Sequence, residues 1–190
     1  PDNIYGLGRL QLASWLGEEH THTYSGPEGW YMVGTPASTT KDAFSETVYE
    51  WDPQEGKYRE ADILLPFHGY WAYLPANRTV TVYGPSRDYT YLPLPSAGWW
   101  MISCPFELPK ENILLSVEEG TWVYWNDAVR YGYVADILWY YDTRGGRYRP
   151  VSVLEPWNGY WIYLKRPATL LLRKGNPDDP PPPPFAAKAE

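Results

Sequence analysis

The residues best suited to chemistry lie in one stretch, Thr121-Trp122-Val123-Tyr124-Trp125-Asn126-Asp127-Ala128-Val129-Arg130-Tyr131-Gly132-Tyr133. Flat Trp and Tyr rings bind the apolar C–H faces of sugars by contact, while a few polar groups nearby fix the orientation. Here Trp122, Tyr124, Tyr131 and Tyr133 would supply the rings, and Asp127, Arg130 or Asn126 the hydrogen bonds. With Asn126-Asp127 as a two-residue turn the stretch reads as a β-hairpin. Trp125 then opposes Ala128, Tyr124 opposes Val129 and Trp122 opposes Tyr131, and one face carries Trp122, Tyr124, Val129, Tyr131 and Tyr133. Asn-Asp is a weaker turn signal than Asn-Gly. The same rings would also serve as core or inter-lobe packing, or as a docking face for a second protein copy, since large apolar patches mark interfaces.

Other reactive groups form no catalytic set. In an extended segment Glu18, His20 and His22 share one face. That face suits a metal, but no further ligand lies nearby in sequence, so it reads as a solvated edge. Cys104 precedes Pro105 and no His sits in a matching motif, so it reads as a small buried residue rather than a nucleophile. Glu118-Glu119 are neighbours on a loop, whereas glycoside hydrolysis needs two carboxylates on facing elements, about 5–10 Å apart. No Gly-x-Ser-x-Gly elbow, phosphate loop or His-Glu-x-x-His is present. The expectation is a protein that is not an enzyme and uses no cofactor or metal, with a hydrolase built on acidic residues as the weaker alternative.

The elements that position these residues follow from an internal repeat. Gly69-Tyr70-Trp71-Ala72-Tyr73-Leu74 returns as Gly159-Tyr160-Trp161-Ile162-Tyr163-Leu164. Gly29-Trp30-Tyr31-Met32 returns as Gly98-Trp99-Trp100-Met101, and Trp51-Asp52 with Gly56-Lys57-Tyr58-Arg59 returns as Tyr141-Asp142 with Gly146-Arg147-Tyr148-Arg149. His68 aligns with Asn158, so that position asks for a polar loop residue and not an imidazole. The offset grows from 69 residues (29 to 98) to 90 (52 to 142), so the second copy carries a 21-residue insertion between Pro105 and Asp142. Each copy reads as a Gly-Trp strand, an aromatic hairpin with an Asp/Gly turn, a Gly-Tyr-Trp strand and a last strand at Thr79–Val82 or Thr169–Leu172. The fold expected is all-β: two tandem pseudo-repeated β-lobes, with an inserted hairpin at 115–135. The first lobe and its leading strand span 1–94, the second 95–175, and a proline-rich linker or tail 176–190.

Composition agrees. The 11 Trp and 18 Tyr suit pleated, half-buried surfaces, and 20 Pro with 16 Gly suit many strands joined by tight turns. A net charge of −7 without a Lys/Arg cluster argues against nucleic acid, which needs a basic stripe. No apolar run approaches the roughly 20 residues that span a membrane. One Cys rules out an internal disulfide. Few Gln, Cys and Met with many Pro lean toward a heat-tolerant source. The start at Pro1 reads as a mature form or an excised fragment, and the run Pro180–Pro184 as an extended, semi-rigid spacer.

The pattern resembles a module of large secreted and surface proteins of bacteria and archaea. That module runs Gly-Trp-x-x-Ile/Val-Ser/Gly-x-Pro, an aromatic-Asp hairpin, then Gly-x-Gly-Tyr-Trp-Ile and a short strand. Gly29, Trp30, Gly34, Pro36, Asp52, Gly69, Tyr70 and Trp71 match it, as do Gly98, Trp99, Ile102, Ser103, Pro105, Asp142, Gly159, Tyr160 and Trp161. The match covers residues 23–173; His68 and Asn158 before the final Gly, and the insertion, depart from it. The resemblance implies an extracellular β-rich accessory module and leaves ligand and active site undefined. The motif residues, including Trp30, Trp71, Trp99 and Trp161, read as architectural core. The function expected is polysaccharide binding at the cell surface by the inserted face, alternatively a structural or adhesive surface or filament subunit, with self or a parent protein as further partners.

Overall fold

The computed structural model describes residues 17–175; the opening segment and the proline-rich tail lie outside the described residues. Eight strands come first: β1 (Glu19–Tyr24), β2 (Gly29–Val33), β3 (Thr39–Thr40), β4 (Val48–Asp52), β5 (Lys57–Glu60), β6 (Ile63–Leu64), β7 (Tyr70–Leu74) and β8 (Arg78–Tyr83). The second half holds β9 (Tyr89–Leu94), β10 (Gly98–Ser103), β11 (Leu108–Pro109), β12 (Leu114–Glu118), β13 (Thr121–Tyr124), helix α1 (Trp125–Arg130), β14 (Val134–Asp142), β15 (Arg147–Val151), β16 (Val153–Leu154), β17 (Gly159–Leu164) and β18 (Ala168–Arg173). The protein is all-β, built from antiparallel sheets with short helical turns between them.

Each half contains a four-stranded sheet with the same order, β2-β7-β4-β5 and β10-β17-β14-β15. Alternation along the strands gives each sheet two apolar faces. In β17 Tyr160, Ile162 and Leu164 enter one core, where Leu92, Leu94, Leu170 and Leu172 of the sheet β13-β12-β18-β9 meet them. In β7 Tyr70, Ala72 and Leu74 enter a separate core, closed by Tyr24, Val80 and Val82 of the pair β1-β8. Trp161 and Tyr163, like Trp71 and Tyr73, therefore point away from those cores.

The hairpins form for local reasons. Trp51 pairs with Tyr58 and Tyr141 with Tyr148. Asp52 Oδ1 accepts the backbone N–H groups of Gln54 and Glu55 at 2.8 and 3.0 Å, and Gly56 turns the chain at φ 62°. Asp142 Oδ1 likewise accepts the Gly145 N–H at 3.1 Å, with Gly146 at φ 62°. These are side-chain-closed turns of the kind Asp and Gly favour.

The halves are joined by an exchange of aromatic side chains. Phe67, from the loop after β6, is buried in the core of the second half, with its ring 6.2 Å from that of Phe106. Trp157, from the loop after β16, is buried in the core of the first, 5.5 Å from the His22 ring and 6.2 Å from Phe44. Both sit at φ 70°, an uncommon conformation for a bulky residue, and it persists where surrounding structure over-determines it. The partners that hold it are reciprocal. Ser103 N donates to Phe67 O and Gly34 N to Trp157 O, each at 2.9 Å. The buried Tyr24 hydroxyl adds a 2.6 Å bond to Trp157 O.

Gly69 and Gly159 allow this approach. A Cβ on Gly69 would lie 2.7 Å from Ile102 O, and one on Gly159 would lie 2.8 Å from Val33 O. The obstacle is backbone in both cases, so no rotamer change relieves it. Gly159→Ala is expected to destabilise the fold by about 1–3 kcal/mol, as overpacking does, read as a lower urea midpoint. An unchanged midpoint would show that the halves can separate by that distance without cost.

The structure redraws two boundaries. β9 pairs with β18, so Tyr89–Leu94 builds the second half and not the first lobe of 1–94. The hairpin of the insertion is β12–β13, turning at Glu119-Gly120 with Leu114 opposite Tyr124. Asn126-Asp127 is no turn between strands; it lies inside α1. Helical spacing puts Trp125 and Ala128 on one buried side, and burial of that indole outweighs a weak local turn signal.

Candidate functional site: paired aromatic clefts between the halves

The outward faces of the two four-stranded sheets meet. At the centre Met32, Met101 and Trp161 are buried together, flanked by Trp51, Trp71, Trp139 and Tyr141. Hairpins cross from one half to the other. Trp51 Nε1 donates to Trp99 O at 3.0 Å, and Thr143 Oγ1 donates to Trp30 O at 2.6 Å. The rings of Trp51 and Trp161 lie 5.5 Å apart at 82°, and those of Trp71 and Tyr141 5.3 Å apart at 69°. Edge-to-face pairs of this kind are favourable beyond their burial.

Where the faces do not touch, two clefts remain. One, of about 440 Å³, is walled by Trp51, Tyr58, Trp99, Trp139, Tyr148 and Trp161. The other, of about 390 Å³, is walled by Trp30, Tyr49, Tyr58, Trp71 and Tyr141. Tyr58 belongs to both. The volumes fall in the ordinary range for small-ligand sites. Trp99 is 40% exposed and Trp30 39%, while Tyr58 and Tyr148 are each 46% exposed. Those rings present faces to solvent, although the Trp99 and Trp30 carbonyls are held across the boundary.

Polar groups sit on the hairpins around these rings. Arg59 pairs with Asp52 at 2.6 Å and with Glu55 at 2.7 Å, and Arg149 pairs with Asp142. Backbone N–H donors, first of all that of Glu55, hold the Asp52 carboxyl below its usual range; the Gly145 N–H does the same for Asp142. Burial raises the pKa of the Tyr58 hydroxyl. It therefore stays protonated at neutral pH and can donate a hydrogen bond. Rings that make contact and hydroxyls that donate can hold a ligand with flat apolar faces and hydrogen-bond acceptors.

The residues expected from sequence lie elsewhere and divide into two groups. Trp122 packs on Tyr91 with ring centroids 5.4 Å apart. Tyr131 packs on Tyr133 at 5.7 Å, the Arg130 guanidinium stands 5.1 Å over the Tyr131 ring, and Arg130 pairs with Asp127 at 2.9 Å. Trp122 and Tyr131 do not oppose one another, because helix α1 separates the strand of Trp122 from Tyr131. Tyr124, at the end of β13, pairs with Leu114. Tyr131 is 52% exposed, so this corner still offers one open ring.

Trp30 and Trp99 correct the core assignment of the repeated tryptophans, since both stand at the clefts with about two fifths of their surface open. Trp161 is 7% exposed and does act as packing. The signal in the sequence was Tyr70-Trp71-Ala72-Tyr73: aromatics on both faces of a strand require a second apolar partner beyond the core. Of the other candidates, His20 Nε2 bonds Gly84 O at 3.1 Å and His22 stacks on Trp157, so that face is packed and not a solvated edge. Cys104 is buried, which pushes its thiol up to about 12 and leaves it unreactive at neutral pH. His68 is largely buried, which lowers its pKa. Among the described residues no cluster of three or more His, Cys, Asp or Glu is placed to hold a metal, and no helix is long and apolar enough to cross a membrane. No family model matches the chain, and no curated protein or solved structure matches it.

Proposed function

We propose that this chain is a non-catalytic extracellular accessory module that binds polysaccharide through the aromatic clefts between its halves. The observation that carries the reading is the pair of neighbouring clefts walled by Trp and Tyr, with Trp99, Trp30, Tyr58 and Tyr148 open to solvent. Sugar rings stack on such faces, and two clefts sharing Tyr58 suit a polymer with several ring contacts rather than one monosaccharide. The resemblance to modules of secreted and surface proteins supports the setting.

The test is retention of the chain on cellulose, xylan and chitin, with Trp99→Ala and Trp122→Ala alongside. Trp99→Ala is expected to weaken retention about tenfold or more while the fold persists, as loss of a central aromatic contact does. Trp122→Ala should leave it within a factor of about two. The reverse pattern would return the site to the Trp122 and Tyr131 corner. Absence of retention on all three polymers would sink the sugar reading for them.

A further inference from the structure

We infer that the two clefts are one binding site present twice about an internal two-fold axis, and that each copy holds its own polysaccharide strand, so that a single chain ties two strands together. The inference rests on the sugar reading for the ligand and goes beyond it in valence.

The walls correspond residue for residue. Trp30 faces Tyr73 across β2 and β7, as Trp99 faces Tyr163 across β10 and β17. Tyr49 faces Trp71, as Trp139 faces Trp161. Trp51 faces Tyr58, as Tyr141 faces Tyr148. In these registers Trp30, Tyr49 and Tyr58 of the smaller cleft stand where Trp99, Trp139 and Tyr148 stand in the larger. The remaining walls of the smaller cleft, Trp71 and Tyr141, stand where Trp161 and Trp51 do. Each cleft is therefore built from aromatics of one half and closed by a hairpin aromatic of the other, Tyr141 in the smaller and Trp51 in the larger. Two accidental hollows would not match at every wall of the smaller one.

Reciprocal contacts between the halves fix how the copies are related. Ser103 N donates to Phe67 O, and at the matching place Gly34 N donates to Trp157 O. Val33 bridges to Asn158, and Ile102 to His68. The Trp51 ring meets Trp161, and the Tyr141 ring meets Trp71. Met32 and Met101, at equivalent positions of β2 and β10, are buried together at the centre. Contacts that recur with the halves exchanged mark an isologous interface, whose operator is a two-fold rotation; a head-to-tail repeat does not give them.

A two-fold rotation reverses direction. A polysaccharide strand runs from a non-reducing to a reducing end, so one straight strand laid over both clefts would meet the second copy backwards. Two antiparallel strands, one per cleft, meet both copies in the same sense. The copies are not identical. Trp139 takes the place of Tyr49, and Tyr58 adds a further wall to the larger cleft. More aromatic surface makes the larger cleft the tighter copy.

The experiment is isothermal titration calorimetry of cellotetraose, xylotetraose and chitotetraose on the full chain, on Trp30→Ala and on Trp99→Ala. The viscosity of hydroxyethylcellulose, arabinoxylan and glycol chitin solutions is measured with each protein alongside. The full chain should take two molecules of the tetrasaccharide it binds, and each variant should keep one site while the altered cleft weakens about tenfold or more. The full chain should raise the viscosity of the matching polymer, and either variant should bind that polymer without doing so. On the insoluble polymer, loss of either copy should reduce retention by more than the tetrasaccharide affinity does, because two linked sites bind with avidity. If a Trp variant does not fold, Tyr49→Ala marks the smaller cleft and Tyr148→Ala the larger. One tetrasaccharide per chain, lost in both variants, would mean one composite site; it would overturn the inference and leave the sugar reading standing. Two tetrasaccharides with no gain in viscosity would mean that one strand crosses both clefts, and would overturn the two-strand inference. No response to any of these sugars would remove the sugar reading itself, and this inference with it.

Discussion

Phe67→Ala is expected to destabilise the chain by about 3–5 kcal/mol, as removal of a buried Phe from a packed core does. The effect should appear in the half that does not contain Phe67. Its ring is 1% exposed and packs in the cluster of Leu92, Ile102, Leu115 and Ile162, whereas its own neighbours in sequence belong to the other core. Trp157→Ala is the reciprocal case, opening a cavity around Tyr24, Phe44 and Val80. Because each half donates an aromatic to the other, the two should unfold together. Urea denaturation with hydrogen exchange checks this. In Phe67→Ala, protection should fall at the amides of β10, β12 and β17 and not only in the loop around residue 67. Loss confined to the loop, with an unchanged denaturation midpoint, would mean that the ring is a passenger and the halves are energetically separate.

Trp125→Ala carries an expected cost of similar size, about 3–5 kcal/mol, and reports on the insertion. Its side chain is fully buried, its indole N–H donates to Asp136 Oδ1 at 2.9 Å, and its backbone N–H donates to Ile113 O at 3.0 Å. Lys110 pairs with the same Asp136 oxygen at 2.8 Å, and Lys110 followed by the indole holds that carboxyl below its usual range. Helix α1 has six residues, too few to hold itself in water, so it depends on this anchor. Trp125→Phe keeps an apolar ring and loses the hydrogen bond, for about 0.5–1.5 kcal/mol, because Asp136 is exposed and water replaces the lost donor. The comparison therefore separates packing from hydrogen bonding. A cost below about 1 kcal/mol for Trp125→Ala would show that α1 is held by other contacts. Trp125 packs in the core while the clefts lie on the other face of the sheet, so a folded Trp125→Phe should bind ligand like the parent.

The clefts exist because the sheets are apolar on both faces. In an ordinary antiparallel sheet one face meets the core and the other meets water. Here Trp30, Trp71, Trp99 and Trp161 occupy the second face, and the halves cover part of it by packing against one another. What they leave uncovered is a pair of aromatic clefts whose walls are held by core packing on one side and by cross-boundary hydrogen bonds on the other. Preorganisation of this kind lowers the entropy lost on binding.

Much of this protein was legible in its sequence where the forces are local. The hairpins at Trp51–Tyr58 and Tyr141–Tyr148 could be read because Asp and Gly close those turns with their own side-chain and backbone chemistry. The strands at Gly69 and Gly159 could be read from their repeated runs of strand-favouring aromatic residues after a glycine, and the all-β class follows from the sum of such segments. The paired glycines marked a special approach without saying what approached. Tertiary structure decided the rest. Asn126-Asp127 became helix because the space under Ile113 and Val134 takes an indole, and burial of Trp125 is worth more than a weak turn preference. Tyr89–Leu94 joined the second half because its pairing partner, β18, lies about 80 residues further along the chain. Above all, a strand with rings on both faces does not say in sequence which ring meets the core. That is settled only when a second sheet arrives, and here the partner left Trp99 and Trp30 two fifths open while it closed over Trp161.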